Sequence, residues 1–169
     1  MRSIAKAANV ARTTLQGRYA SKEALFHALM KEQIGRMSAV SFLKFAGKPD
    51  LRAGLIGYGN RALEYSLETE YREINRLIYA SAGRFPELAA AAKESTRVGI
   101  AQITQFIREC ADVDGVACRA PERAAECFIL LLRGWYGYAI VDPLPTPKKQ
   151  RELWVEEMVD TLIAGRPGW

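Results

Sequence analysis

The apolar positions of this chain recur at helical spacing from one end to the other. Ile4 and Ala8 stand four apart on one face of a first short helix. Ala5 and Ala8 are small enough for a second helix to approach closely. Asn9 falls where the chain must reverse, and Asn tolerates left-handed backbone better than most residues other than Gly. Val10 is expected to plug the space between the two helices. Leu15 and Tyr19, again four apart, point back at the same corner. That leaves Arg12, Thr13, Gln16 and Arg18 outside, all of them hydrogen-bond donors and none acidic.

Ser21 is a good N-cap for a long third helix, and Glu23 falls in its first turn, where negative charge suits the helix dipole. Phe26, Leu29, Met30, Ile34, Met37 and Val40 carry its apolar spacing towards Gly47-Lys48-Pro49. Asp50 caps the next helix, with Leu51, Leu55, Ala62 and Leu63 inward. Thr69 is expected to cap a further segment through Ile74, Leu77 and Ile78. Gly83-Arg84-Phe85-Pro86 is a break, and Pro86 suits the first turn of a helix from Glu87 to about Ala111. Ile100, Ile103, Ile107 and Cys110 form its stripe, and the run from Asp112 to Gly115 is a turn. Pro121 opens a helix whose middle, Cys127 to Ile140, is apolar nearly all round. The proline-rich run from Asp142 is a stiff loop, with Thr146 as cap and Pro147 as the first helical residue. The last helix carries Leu153, Trp154, Val155, Met158, Val159, Leu162 and Ile163 and stops at Gly165. No strand alternation or internal repeat interrupts the series. The expected class is therefore all-α.

Composition narrows this further. The 169 residues are 49% hydrophobic and 25% charged, as in a soluble globular protein. No apolar run is expected to span a membrane and no secretory signal is expected at the N-terminus, which points to a cytoplasmic protein. Cys110, Cys118 and Cys127 are odd in number and lack metal-type spacing, so they read as reduced packing thiols. The net charge of +5 is unevenly spread: residues 1–48 hold nine Lys or Arg and two Glu, and the rest is close to neutral. A basic head on a near-neutral body favours a polyanion at one end.

An enzyme is not expected. His27 is the single histidine, which excludes a two-His metal site and makes a hydrolytic triad improbable. No Gly-rich phosphate loop appears. Glu156 and Glu157 are adjacent on a helix and point apart, as solvated surface does. No metal or cofactor is expected.

The opening residues resemble the helix-turn-helix of the tetracycline-repressor (TetR) family of transcription regulators. Ile4, Ala5, Ala8, Val10, Thr14, Leu15, Tyr19, Ser21, Lys22, Glu23 and Leu25 fit that family's order and spacing without a gap. Four positions depart from it. Asn9 stands where the family favours Gly, Ala11 where it favours a capping Ser, Gln16 where a Tyr is common, and Arg18 where His or Tyr is usual. The resemblance also implies a further helix ahead of Ile4, which this sequence does not contain, so the head is expected to be incomplete. It implies a DNA-binding head over 1–46 and a helical ligand-binding and dimerisation domain over 47–169. In the head, Arg12, Thr13 and Gln16 would face base edges, while Thr14, Arg18 and Lys22 would hold phosphates, with Tyr19 beside them. The implied function is a ligand-responsive regulator, a repressor, that binds double-stranded DNA at a near-palindromic operator as a homodimer. Two alternatives stay open: a dimeric small-molecule-binding protein that has lost DNA binding, and a purely structural helical dimer.

Two late helices carry more apolar surface than one internal face needs. A two-fold dimer through Leu131, Trp135, Tyr138, Trp154, Met158 and Leu162, built as a four-helix bundle, would bury the surplus. A small-molecule effector is expected among the aromatics of the middle helices, Tyr58, Tyr65, Phe106, Phe128 and Trp135, with Arg97 or Arg133 as a charged anchor.

Overall fold

A computed structural model of the chain describes the backbone of residues 1–39, 47–81, 83, 85–142 and 146–168. It describes all their side chains except those of 33, 34, 36–39, 70, 78, 79, 81, 87, 88, 91 and 167. Ile34, Met37, Val40 and Ile78, expected on inner stripes, lie outside the described residues, as do Arg84 of the predicted break and the middle of the proline-rich loop.

Eight α-helices and no strand form among the described residues: α1 (Arg2–Ala7), α2 (Arg12–Arg18), α3 (Lys22–Ala39), α4 (Leu51–Leu67), α5 (Thr69–Ser81), α6 (Pro86–Asp114), α7 (Pro121–Val141) and α8 (Lys148–Ala164), with a closing 3-10 turn at Arg166–Gly168. Their ends follow local chemistry. Asn9 adopts φ 51°, the left-handed region, and the Val10 N–H turns back to the Ala5 carbonyl at 3.0 Å. Ser21 Oγ accepts from the Ala24 N–H at 3.0 Å, and Asp50 Oδ1 accepts from Ala53 at 2.6 Å. Pro86 starts α6 at a position where its missing N–H costs nothing.

Several boundaries differ from expectation. Thr69 is already helical, because the reversal lies at Glu68, whose carbonyl accepts the Arg72 N–H at 2.9 Å. The helix α6 runs on to Asp114, since the left-handed cap that ends it is Gly115 at φ 71°. Pro147 precedes α8 rather than opening it: its backbone is extended at ψ 138°. Leu29 and Leu77 are 44% and 49% exposed, so neither belongs to an inner stripe.

The core joins α4, α6, α7 and α8 around Leu55, Tyr58, Ile103, Phe106, Phe128, Leu132, Val155 and Val159. Two glycines of α4 let these helices close up. A β-carbon at Gly54 would lie 2.1 Å from Phe106 Cζ, and one at Gly59 would lie 2.8 Å from Val155 Cγ1. Named contacts also fix the register. Gly54 meets Phe106 and Tyr58 meets Gly99, so α4 and α6 run antiparallel. Gly99 meets Ile129, and Arg108 pairs with Glu122, so α6 and α7 are antiparallel too. Hence α4 and α7 run parallel, with Tyr58 on Phe128 and Gly59 beside Leu132.

A smaller cluster ties α3 to α5 and α6: Met30 of α3 and Ile74 of α5 are buried together, with Phe26, Phe85 and Ala92 against them. The end of α7 is held from α5, where Arg76 Nε and Nη2 donate to the Ile140 carbonyl at 2.8 and 2.5 Å. Arg166 closes the far end, donating to both oxygens of Asp114 at 2.6 and 3.1 Å and to the Val116 carbonyl at 3.2 Å.

By length and composition α7, at 21 residues, is apolar enough to cross a membrane, contrary to the sequence expectation. Its buried positions from Ala124 to Ile140 are nevertheless spent on the internal core.

Candidate nucleic-acid interface and ligand core

The corner formed by α1 and α2 is small. Ala5 is its buried residue, at 3% exposure, and Leu15 and Tyr19 are half-buried. Val10 stays 43% exposed and does not plug the corner as expected. Helices of six and seven residues offer too little facing surface to enclose a branched side chain as well as Ala5. On the outer side, Arg12, Thr13, Thr14, Gln16 and Arg18 are all exposed, and Lys22 is exposed in the first turn of α3. No acidic residue occurs before Glu23, so this surface carries donors and positive charge alone. The start of α2 has no side-chain cap: Ala11 is extended at φ −64°, ψ 139° and has no oxygen to offer its orphan N–H groups.

In the body the expected ligand residues separate. Tyr58, Phe106 and Phe128 are 4%, 1% and 1% exposed and belong to one cluster. The Tyr58 and Phe128 rings meet edge to face at 5.7 Å. Burial pushes the Tyr58 hydroxyl up to about 12, with the charge of Arg133 opposing. Tyr65 packs on Tyr71 at 4.1 Å, at the α4–α5 junction. Trp135 stacks on Trp154 at 5.5 Å, at the seam of α7 and α8. Arg97 does not serve as an interior anchor. Its side chain is 71% exposed and bonded to Glu94, one turn back on the same helix, at 2.6 Å. Arg133 remains: it is half-buried on α7, one turn beyond Ile129.

Residues 53–165 match the family described as AefR-like transcriptional repressor, C-terminal domain. The chain belongs to this family. It is thus a transcriptional regulator of the TetR type. Three solved structures share the fold. A chain from Rhodococcus sp. Rha1 described as a transcriptional regulator superposes with TM-score 0.71 at 17% identity, over 98% of this chain and 86% of that one. A Mesorhizobium loti MAFF303099 chain described as a TetR-family transcriptional regulator gives TM-score 0.67 at 21% identity, over 95% and 83%. A transcriptional regulator from Pseudomonas aeruginosa PAO1 gives 0.66 at 21%, over 97% and 80%. No curated protein matches the chain.

In this TetR-type regulator the surplus apolar surface is divided between the protomer's own core and its exterior. Met158, expected at a dimer interface, is 8% exposed and packs inside the protomer. Trp154 and Leu162 are half-buried against the same core, and Trp154 is engaged by Trp135. Leu131 and Tyr138 are 45% and 78% exposed. Sequence reasoning missed Leu130, Val141 and Leu153, at 51%, 74% and 54%. The signal was present on α7: Cys127, Leu131, Gly134, Tyr138 and Val141 follow a four-three alternation, the spacing of a helix–helix seam. Cys127 is exposed on that seam, not a packing thiol as expected, whereas Cys110 is buried, which pushes its thiol up to about 11. Among the described residues no cluster of His, Cys, Asp and Glu is arranged to hold a metal ion.

Proposed function

We propose that this chain is a ligand-responsive repressor that binds a near-palindromic operator as a homodimer in the cytoplasm. The observation that carries the reading is the exposed, acid-free face of α2, presented just after a left-handed turn at Asn9. Residues 1–46 act as the DNA-binding head and 47–169 as the effector and dimerisation domain. Arg12, Thr13 and Gln16 meet base edges, Thr14, Arg18, Tyr19 and Lys22 hold the backbone, and two copies of α2 enter successive major grooves. The α7 seam supports a two-fold partner, because an apolar row this long is seldom left to water. The effector occupies the core around Tyr58, Phe106, Phe128 and Arg133, and favours one separation of the two heads while the operator favours another. Each then weakens the other's binding by the same factor.

The test is a mobility shift with duplexes enriched by the protein from a random pool. The parent chain is expected to prefer the enriched duplex over its scrambled form, and Arg12→Ala to lose that preference by roughly tenfold or more. Equal affinity of the parent for both duplexes refutes the reading.

A further inference from the structure

The long helix α6 starts without a side-chain cap. The N-cap position ordinarily carries Ser, Thr, Asp or Asn, whose oxygen takes an orphan N–H. Here it is Phe85, at φ −129° and ψ 84°, with no oxygen to offer. Its ring is used elsewhere. It lies edge to face with the His27 ring at 4.6 Å and against the Phe26 ring at 5.8 Å, both on α3. Pro86 follows, and a residue before proline is kept out of the helical region, so the backbone that aims this ring has little freedom. The rest of the grip on α3 is compact. Met30, one turn beyond Phe26, is fully buried with Ile74 of α5, and Ala92 of α6 packs on the same cluster.

This joint lies close to the head. Only Tyr19, Ala20 and Ser21 separate α2 from α3, and Ser21 caps α3 through the Ala24 N–H. The direction of α3 at the joint therefore decides where α2 is carried. From Met30 back to Lys22 the helix spans about 12 Å. A tilt of about 10° over that length moves the start of α3 by about 2 Å, or about 4 Å between two opposed heads. One base pair advances the duplex by about 3.4 Å, so a tilt this small corresponds to about one base pair of half-site spacing.

We infer that Phe85 determines which operator spacing the regulator accepts: its ring, seated on the Phe26–His27 pair, fixes the tilt of the helix that carries the head. Aromatic rings prefer a small set of relative orientations, so this contact holds an angle more sharply than an aliphatic one does. The missing cap on α6 is the local sacrifice that puts a ring at this position. The inference rests on the homodimeric DNA-binding reading above and adds the residue that sets its geometry.

Mobility shifts of the full chain test it on the enriched duplex, on versions with one base pair added or removed between the half-sites, and on a duplex holding a single half-site. The parent is expected to lose roughly tenfold in affinity at either altered spacing. Phe85→Ala is expected to cut that penalty to about threefold or less while leaving half-site affinity within about twofold, and Phe85→Leu to fall between. Phe85→Tyr keeps the ring and should keep the parent's penalty. Phe26→Ala removes the other side of the contact, so it should flatten the spacing response equally, and the double variant no further. Ile107→Val, buried in the main core, controls for lost stability alone and should respond as the parent does. An unchanged penalty in Phe85→Ala and Phe85→Leu overturns the inference, as does equal flattening by Ile107→Val, or a loss of half-site affinity as large as that for the full operator. A parent that prefers the enriched sequence but ignores spacing overturns the inference alone. A parent that makes no distinction between enriched and scrambled duplexes overturns the DNA reading and the inference with it.

Discussion

Replacing Gly54 by alanine sets two effects against each other. The position is inside α4, where Gly→Ala alone is worth up to about 1 kcal/mol of added stability. The new carbon, however, would stand 2.1 Å from Phe106 Cζ and 2.4 Å from Cε1, where carbon atoms ordinarily rest about 3.5–4.0 Å apart. The ring must therefore withdraw by well over an ångström. It has nowhere to go, since Phe106 is 1% exposed and Ile103 and Ile107 beside it are equally enclosed. Overpacking of this kind costs about 1–3 kcal/mol, and an immobile aromatic ring in the path puts the cost at the upper end. The net expectation is a loss of about 1–2 kcal/mol. Gly35→Ala is the matching control. Its β-carbon meets nothing within 4 Å, so the propensity gain stands alone and stability should rise by about 0.5–1 kcal/mol. Urea unfolding of parent and variants at equal protomer concentration measures both, because a dimer's midpoint depends on concentration. A Gly54→Ala chain as stable as the parent would refute the close α4–α6 contact on which the position of Tyr58 and Phe106 depends.

Leu131→Asp places a charge on the exposed α7 seam without touching the protomer's core, so it is expected to give monomers that keep the parent's far-UV dichroism; an unchanged mass in sedimentation would remove the proposed interface. If α2 docks on DNA in a dimer as proposed, Arg18→Gln deletes one phosphate-facing cation per head and two per dimer, and the slope of log affinity against log salt should flatten by about 1.8; an identical slope would exclude Arg18 from the proposed backbone contacts. Asp114 is held below the ordinary carboxylate range, first by the Arg166 hydrogen bonds and then by the Val116 N–H. A lowered carboxyl contributes stability that is complete above its unfolded pKa and lost as pH falls through the folded value. Asp114→Asn should therefore lower the melting temperature at neutral pH, and the gap from the parent should close as the medium is acidified below about pH 4; a gap that persists unchanged in acid would contradict the pairing.

The features legible in the sequence are those whose cause lies within about four residues. Asn9 supplies its own left-handed turn, Ser21 and Asp50 their own caps, and Pro86 its own helix start, and each fell where it was expected. Glu94 and Arg97 sit three apart, so the surface pair that keeps Arg97 out of the interior was equally open to inspection. Tyr58 has no such local signal. Its placement depends on Gly99 and Phe128, distant in sequence, and only the packing of three helices brings them together.

The same distinction governs the two late helices. Period and composition identify excess apolar surface on both but cannot say which part of it a neighbouring helix will consume. On α8 most of the excess is absorbed at home: Met158 enters the core and Trp154 stacks on Trp135, while Leu153 stays exposed. On α7 one face is spent on α4 and α6, and the opposite face, from Cys127 through Leu131 and Tyr138 to Val141, is not. A two-fold partner would therefore have to centre on α7, with α8 adding little beyond Leu153 and the open edges of Trp154 and Leu162. Arg76 grips the last turn of that same helix from α5, whose Ile74 is packed against Met30 of α3. Named contacts thus join the last turn of α7 to α5 and α5 to α3, through side chains that sequence periodicity alone would have assigned to a featureless core.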